Sequence, residues 1–308
     1  MLYYLGIDVG GTSIKGGVVT EEGKVIFKAT SKVSLDALTA LDSVMERLNE
    51  YCIENEISAN KCGIGVPCIF DKETGVVSYG NNLDFKGVNL KSWFKTKYGK
   101  ELFISNDAAA AALGEYRFGA GKGYENVVLI TIGTGVGCGI ILNGKIIPSN
   151  SSAVGELSHT VVSVGGRKCT CGNKGCLEAY CSMTALYKDV KREMQKNKQS
   201  KMWQKLNVDD IDGREFFNLL GKDESADKVF KRFITYLSVG VLNVANLLRP
   251  DVIIIGGGVS AQGDVIINPL NKYLKENIFA KEYTKIIPVL KATNGNDAGI
   301  LGAAALTI

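Results

Sequence analysis

The chain contains 308 residues, of which 45% are apolar and 22% are charged, and its formal net charge is +4. This composition is typical of a globular protein that is long enough for two lobes, each with its own core. The small charge does not require a nucleic-acid partner, residues 1–5 lack the character of a signal peptide, and the apolar stretch 233–248 is too short and too polar to span a bilayer. We therefore expect a cytoplasmic protein with no nucleic-acid or membrane partner.

A glycine turn between two apolar segments comes first, in the run Leu5-Gly-Ile-Asp8-Val-Gly10-Gly11-Thr12-Ser-Ile-Lys15. Glycines expose backbone N–H groups without a Cβ in the way, which suits a loop that holds phosphate. Asp8 is suited to the shell of Mg²⁺ and Lys15 to phosphate charge, because phosphoryl transfer is catalysed mainly by positioning and electrostatic stabilisation. The alternative is an ordinary glycine-rich turn between strands.

An apolar strand then ends at Asn106-Asp107, where an alanine-rich helix begins. This spacing places Asp107 at the end of a strand, the position where α/β proteins bind ligands. The alternative is that Asp107 only caps the helix, a contribution of about 1 kcal/mol.

The first pattern recurs, without its aspartate and lysine, in the run Leu129-Ile-Thr131-Ile-Gly133-Thr134-Gly135-Val-Gly137. Two related hairpins of phosphate-binding type suggest two lobes that face each other across a nucleotide. A third glycine cluster, Gly256–Gly258, follows the apolar segment 252–255 and matches the G-x-G-x-x-A of dinucleotide-binding folds. Because such a fingerprint usually opens a domain, we interpret this late match as a nucleoside-contacting turn of the same ATP site.

The only histidine, His159, is followed at short spacing by Cys169, Cys171 and Cys176. Three thiolates and one imidazole form a closed tetrahedral set for Zn²⁺, with no open position for water. We therefore predict a structural zinc site, with a redox-sensitive thiol cluster as the alternative. Cys181, five residues beyond Cys176, could compete as a ligand.

In chain order, these motifs resemble those of the ROK family of sugar kinases and sugar-responsive repressors. The resemblance runs from about residue 4 to 305 and is carried by D-V-G-G-T-S-I-K, G-I-G-V-P, N-D-A, G-T-G-V-G, G-E-L-S-H, C-T-C-G-N-K-G-C-L-E and I-I-I-G-G-G-V. It implies the two-lobed α/β fold of actin-like ATPases and hexokinases, with ATP and sugar in the interlobe cleft. We place the N-terminal lobe at 1–118, completed by a C-terminal helix at 296–308, and the C-terminal lobe with the zinc loop at 119–295. The family also suggests a homodimer.

The resemblance further implies roles for individual residues. Asp107 resembles the general base that takes the proton of the sugar hydroxyl. The implied sugar contacts are Asn82, Asn106, Asp107, Glu156, His159 and Glu178. The implied nucleotide contacts are Asp8, Gly10, Gly11, Thr12, Lys15, Gly133, Thr134, Gly135, Gly257 and Gly258. The implied zinc ligands are His159, Cys169, Cys171 and Cys176, with the second ring nitrogen of His159 directed towards the sugar.

The family contains both enzymes and repressors, and the seven residues before Asp8 are too few for a DNA-binding domain. We therefore predict a hexose kinase that uses ATP and Mg²⁺ and phosphorylates glucose at its 6-hydroxyl. A kinase for another hexose (N-acetylmannosamine, fructose or a glucoside) and a non-catalytic sugar sensor are the alternatives. Cys68 and Ser158, where the family commonly has glycine, border the implied sugar pocket and leave the identity of the hexose open.

Overall fold

The computed structural model describes residues 2–33, 36–80, 83–149 and 151–308. The strands in these ranges are β1 (Tyr3–Val9), β2 (Ser13–Thr20), β3 (Val25–Lys32), β4 (Lys61–Val66), β5 (Cys68–Phe70), β6 (Val77–Gly80), β7 (Glu101–Asn106), β8 (Val127–Ile132), β9 (Val136–Leu142), β10 (Lys145–Ile146), β11 (Val252–Gly256) and β12 (Val289–Lys291). The helices are α1 (Ala37–Glu54), α2 (Leu90–Tyr98), α3 (Asp107–Phe118), α4 (Glu178–Cys181), α5 (Met183–Lys196), α6 (Met202–Lys205), α7 (Gly213–Asn218), α8 (Glu224–Leu248), α9 (Asp264–Asn277) and α10 (Ala298–Ala305). This order of elements confirms the predicted α/β class.

The first sheet has the strand order β3-β2-β1-β4-β7. β1, β2 and β3 are antiparallel neighbours, whereas β4 and β7 run parallel to β1. The carboxyl ends of β1, β4 and β7 therefore share one edge of the sheet. Asp8 is paired with Gly65 near the end of β4, and Val66 is paired with Asn106 at the end of β7. Parallel pairing thus brings polar residues from distant parts of the chain to the edge where α/β sheets bind ligands.

The second sheet has the strand order β10-β9-β8-β11-β12. Its neighbouring strands β8 and β11 are apolar and almost entirely buried, and each is followed by a glycine turn. The two turns lie close together, because a Cβ on Gly257 would be 2.4 Å from the carbonyl oxygen of Ile132 at the end of β8. Sheet pairing therefore explains why the late glycine cluster belongs with the second glycine hairpin.

Packing divides the chain into two compact units, of which the first comprises Met1–Leu129, Cys138–Gly155 and Ala292–Ile308. Its main core lies between the first sheet and α1, whose buried side chains Leu41, Val44, Met45 and Leu48 recur at helical period. The Asp36 carboxylate begins α1 by accepting hydrogen bonds from the backbone N–H groups two and three residues ahead. The helix α10 packs on β1 and α3 in the same unit.

The second unit comprises Ile130–Gly137 and Glu156–Lys291. Its longest helix, α8, contains the apolar stretch 233–248 and is capped by Arg249, which adopts a positive φ of 45° directly before Pro250. Proline disfavours helical backbone at the residue before it, which fits the end of α8 just before Arg249 and Pro250. No helix in the described part of the chain is both long enough and apolar enough to cross a bilayer.

The borders between the units differ from the positions 118/119 and 295/296 that we predicted. Residues 138–155 lie with the first unit because β9 packs on α3, where a Cβ on Gly139 would be 2.3 Å from the carbonyl oxygen of Ala108. The fully buried Glu115 accepts hydrogen bonds from the backbone N–H groups of Thr293 (3.1 Å) and Asn294 (2.8 Å), which fixes the return of the chain to this unit. The helix α10 lies within the predicted segment 296–308.

Candidate functional site

The first glycine turn connects β1 and β2 and places Asp8 directly opposite Lys15. The turn is closed by a hydrogen bond of 3.0 Å from the backbone N–H of Gly10 to the carbonyl oxygen of Ser13, while Gly11 and Thr12 are exposed. Burial raises the pKa of the Asp8 carboxyl, and the positive charge of Lys15 offsets part of this shift. A half-buried carboxylate at the end of a strand is a suitable ligand for a hard divalent cation such as Mg²⁺.

Asp107 is the first residue of α3, and Asn106 is the residue that caps this helix. The side-chain oxygen of Asn106 accepts hydrogen bonds from the backbone N–H groups of Ala108 (3.0 Å) and Ala109 (3.2 Å). Asp107 Oδ1 also accepts from Ala108 N–H, at 2.9 Å. Asp107 is therefore not needed as the cap. Because β1, β4 and β7 are neighbours, the strand ends that bear Asp8 and Asp107 lie about 10 Å apart on one edge of the sheet.

Cys68 is close to Asp107, in the short hairpin formed by β5 and β6. Burial, together with the negative charge of Asp107, raises the pKa of the Cys68 thiol to about 11. Cys68 pairs with Gly80, where a Cβ would lie 3.0 Å from the Cys68 sulfur. The predicted sugar contact Asn82 follows this hairpin and lies outside the described residues.

The four predicted zinc ligands come together on one loop, and their donor atoms all lie within 4.8 Å of one another. The sulfurs of Cys171 and Cys176 are 3.7 Å apart, and Nδ1 of His159 is 3.8 Å from the sulfur of Cys169. Zn–S bonds of about 2.3 Å in a tetrahedron place two sulfurs about 3.8 Å apart, so the set fits Zn²⁺. Burial raises the pKa of Cys176 to about 12, whereas the backbone N–H of Asn173 lowers the pKa of Cys171. A bound cation would favour the thiolate at both positions.

A charged clamp fastens the base of this loop to α5. Arg167 donates two hydrogen bonds to the nearly buried carboxylate of Asp189, at 2.8 and 2.9 Å. Its guanidinium also lies over the ring of Tyr180, 4.7 Å from the ring centre, and Tyr180 stacks on Tyr236 of α8. Both hydrogen bonds come from Nη2, and the contact with the Tyr180 ring uses the planar guanidinium, which lysine lacks.

Two of the predicted sugar contacts flank the metal ligands but have different surroundings. Glu156 is exposed, and its Oε2 lies 4.0 Å from Nε2 of His159, the ring nitrogen that faces away from Cys169. Glu178 begins α4, where its Oε2 accepts a hydrogen bond of 3.1 Å from the backbone N–H of Val136 and its Oε1 accepts one of 3.3 Å from Thr170. His159 can therefore use Nδ1 for a metal and present Nε2 together with Glu156 to a polar ligand.

The second glycine turn, Gly133–Gly135, lies beside Glu178 in the second unit. A Cβ on Gly135 would be 2.6 Å from Glu178 Oε2, so no larger residue fits there without displacing that carboxylate. The carbonyl oxygens of the turn are held by the start of α5, with Met183 N–H donating to Gly133 (2.9 Å) and Thr184 Oγ1 donating to Thr134 (2.8 Å). The turn is thus fixed by neighbours while its exposed residue, Thr134, remains open to a ligand.

A sequence profile of the ROK family matches residues 4–308. The chain belongs to the ROK family. It is 33% identical over 311 residues to the glucokinase of Thermotoga maritima, with 99% of this chain and 97% of that enzyme covered. It is 27% identical to the xylose repressor of Bacillus subtilis, with 99% of this chain and 77% of the repressor covered.

A solved structure supports the same relationship. The ROK family glucokinase of Streptomyces griseus, crystallised in complex with glucose and AMPPNP, is 31% identical and superposes with a TM-score of 0.85 over 99% of this chain and 98% of that one. The predicted two-lobed fold of actin-like ATPases and hexokinases is therefore confirmed.

Several residues that hold the predicted site residues in the two units carry no motif of their own and are absent from the sequence-based predictions. Gly299 lies against the carboxylate of Asp8, Thr184 holds the second glycine turn, and Arg167 with Asp189 anchors the zinc loop. A basic residue next to a metal loop is a weak sequence signal for Arg167. Thr184 and Gly299 have no such signal, because their importance arises only from packing.

Proposed function

We propose that this ROK chain transfers the γ-phosphoryl group of ATP to the 6-hydroxyl of glucose, with Asp107 as the general base. The observation that carries the proposal is the position of Asp107, which shares a carboxyl edge of one sheet with Asp8 and the first glycine turn. A base and a cation-binding carboxylate on one rigid sheet edge are the two groups that an in-line phosphoryl transfer requires.

The general class of the reaction is confirmed. The chain is similar over its full length to glucokinases, including one whose structure holds glucose and AMPPNP, which supports an ATP-dependent hexose kinase. The residues support the same class. Asp8, Lys15 and Asp107 are all present, and their placement in the first unit fits phosphoryl transfer better than a sensor that only binds sugar.

In the proposed reaction, Asp107 accepts the proton of the sugar hydroxyl as the hydroxyl oxygen forms its bond to the γ-phosphorus. The bond between the γ-phosphorus and the bridging oxygen of ATP breaks, and ADP leaves with that bonding pair. Lys15 stabilises the negative charge on the phosphates, and the exposed backbone of the two glycine turns holds them. Mg²⁺, when bound near Asp8, would neutralise further phosphate charge.

The zinc loop has a structural role in this proposal. His159, Cys169, Cys171 and Cys176 would hold one Zn²⁺ in a closed set, which shapes the loop and leaves the metal without a catalytic position. Glu156, Nε2 of His159 and Glu178 would then meet the sugar hydroxyls. Carboxylates and an imidazole discriminate sugars because a hydroxyl with the wrong configuration leaves a buried polar group unpaired, which is costly.

A kinase for N-acetylmannosamine, fructose or a glucoside is the second candidate, because two positions near the proposed sugar contacts carry larger residues than the glycines common in the family. Cys68 is buried beside Asp107, and Ser158 is buried between Glu156 and His159 in the chain. Both change the volume available to a substituent on the sugar.

An ADP-release assay with a coupled enzyme tests the assignment on a panel of glucose, N-acetylmannosamine, fructose and a glucoside. We expect ADP release that depends on both glucose and Mg²⁺, with kcat/KM for glucose at least about tenfold above the other sugars. A larger kcat/KM for another hexose would identify that hexose, rather than glucose, as the substrate. A rate equal to the sugar-free background with every hexose would contradict the proposal.

A further inference from the structure

We propose that Glu178 couples the zinc loop to the second glycine turn, so that zinc bound in the loop raises the affinity of the turn for nucleotide. This inference rests on the proposed function, since it takes Gly133–Gly135 as a nucleotide contact. All of the residues involved lie in the second unit. Glu178 thereby acts as a positioning residue for nucleotide, in addition to the sugar contact proposed above.

The first observation is that the Glu178 carboxylate makes contacts on both sides. Its Oε2 accepts a hydrogen bond of 3.1 Å from the backbone N–H of Val136, the residue directly after the glycine turn. Its Oε1 accepts a hydrogen bond of 3.3 Å from Thr170, which stands between the zinc ligands Cys169 and Cys171. Hydrogen bonds between an ionised carboxylate and a backbone N–H are among the stronger ones in proteins, so this contact can hold the turn in place.

The second observation is that Glu178 cannot move independently of the metal ligands. It follows Cys176 by two residues, and the residue between them, Leu177, donates a backbone hydrogen bond of 3.0 Å to the carbonyl oxygen of Thr160, next to His159. Cys176 also forms a bridge pair with Val161. The backbone that leads into Glu178 is thus joined to the segment that follows His159 and contains the ligand Cys176.

The third observation is the tight fit of the glycine turn against this carboxylate. A Cβ on Gly135 would be 2.6 Å from Glu178 Oε2, so the turn is packed directly against the carboxylate. Thr184 of α5, which is not one of the metal ligands, donates to the carbonyl oxygen of Thr134 at 2.8 Å and also supports the turn. The turn is therefore supported from the zinc loop by Glu178 and from the start of α5 by Met183 and Thr184.

This coupling differs from what the sequence suggests. The zinc motif and the glycine turn are separate in the chain, so loss of zinc is expected to weaken sugar binding and leave nucleotide binding unchanged. With the turn held through Glu178, loss of zinc instead weakens nucleotide binding even when no sugar is present.

The test is calorimetric titration of the full chain with Mg²⁺ and AMPPNP in the absence of sugar, with zinc content measured on each sample. We expect Glu178→Ala to keep one zinc per chain and to raise the Kd for AMPPNP about tenfold, the scale of one lost hydrogen bond to a charged group. Glu178→Gln, whose amide oxygen still accepts from Val136 N–H, should bind within about threefold of the parent chain. Removal of zinc by a chelator should raise the Kd to a similar extent as Glu178→Ala.

Two further variants separate this coupling from general damage to the loop. Asp209→Ala removes an exposed carboxylate of the same unit that lies outside the loop and should leave the Kd for AMPPNP unchanged. Thr184→Val removes one of the supports from α5 and should weaken AMPPNP binding while zinc content stays at one; it provides a second reading of the turn if Glu178→Ala does not fold. Equal Kd values for the parent chain, Glu178→Ala and zinc-free protein would overturn the coupling. A parent chain that binds no AMPPNP would instead overturn the proposed function, and the coupling with it.

Discussion

The carboxylate of Asp8 lies against Gly299 in the first turn of α10, where a Cβ would come within 2.4 Å of Asp8 Cγ. The C-terminal helix therefore forms one wall around the carboxylate that we assign to Mg²⁺. Absence of a side chain at 299 lets Asp8 keep its position at the end of β1.

Gly299→Ala tests this contact. The nearest atoms belong to the short Asp8 side chain, so we expect the carboxylate to rotate away while the fold is kept. Misplacement of a charged group in a phosphoryl-transfer site should lower kcat/KM for Mg·ATP by about tenfold or more. Steady-state kinetics over a range of Mg²⁺ concentrations measures the effect, and a thermal melt within about 3 °C of the parent chain confirms that the fold survives. An unchanged Mg²⁺ requirement would contradict the assignment of Asp8.

Asp8→Asn tests the cost of holding this carboxylate. Burial raises the pKa of Asp8 in the folded chain, so in the window above the ordinary aspartate value of 3.8 the folded chain binds more protons than the unfolded chain. The free energy of unfolding therefore falls as the pH rises through that window. We expect Asp8→Asn to melt at a higher temperature than the parent chain at pH 8, with the difference shrinking towards about pH 4.

The same Asp8→Asn variant should lose most of its kinase activity, because it lacks the carboxylate that we assign to Mg²⁺. The substitution is thus expected to raise stability and to lower activity. Asp84→Asn, at an exposed position, is the matched control and should change neither the melting temperature nor activity. A variant that is less stable than the parent at pH 8 would show that Asp8 stabilises the fold, contrary to the burial argument.

The metal site predicts one zinc per chain and a selective response to cysteine substitution. Cys171→Ser should lose the metal, because the hydroxyl replaces one of three thiolates in the cluster. Cys181→Ser is the matched control, since the Cys181 sulfur is fully buried and donates to the carbonyl oxygen of Phe233 rather than joining the cluster. Elemental analysis of freshly purified protein checks both variants, and zinc loss from Cys181→Ser would contradict the ligand set.

The ion pair of Arg167 and Asp189 predicts that the buried Asp189 contributes more to the free energy of unfolding than the exposed Asp209. Asp189→Ala leaves Arg167 without its nearly buried partner and should lower the free energy of unfolding by about 3 kcal/mol or more. Asp209→Ala removes an exposed pair with Lys191 and should cost less than about 1 kcal/mol. Denaturant unfolding of both variants provides the comparison. Equal losses of unfolding free energy in the two variants would mean that burial does not increase the contribution of Asp189 to stability.

At the start of α3, we expect Asn106 to contribute to stability as the cap and the adjacent Asp107 to contribute to catalysis. Asn106→Ala removes the acceptor for Ala108 and Ala109 N–H and should cost about 1 kcal/mol of stability, whereas Asn106→Ser retains a capping oxygen and should restore most of it. Thermal melts distinguish the two variants. A larger stability loss from Asp107→Asn than from Asn106→Ala would return the capping role to Asp107.

The sequence was most informative where one local pattern determines one structure. The spacing of His159 and the three cysteines predicts a cluster whose donor atoms do come together, and the glycine turns after apolar strands predict hairpins that the sheets contain. The residue that caps α3 was uncertain by one position, because both Asn and Asp are good caps and only the hydrogen bonds distinguish them.

Contacts between distant segments could not be predicted from these patterns. Gly299 beside Asp8, Glu178 beside Val136 and Arg167 with Asp189 depend on how helices pack on strands, and none of these residues has a periodic or motif signal for its partner. The packing units divide the chain at positions other than 118/119 and 295/296, and local composition does not mark these positions.

The most direct test of the account is the turnover of Asp107→Asn with glucose and Mg·ATP, measured beside glucose binding by calorimetry. Asparagine keeps an acceptor for Ala108 N–H but cannot take a proton from the sugar. We expect a fall in kcat of about 10²-fold or more, with the Kd for glucose changed by less than about threefold. Turnover close to that of the parent chain would contradict the assignment of Asp107 as the general base.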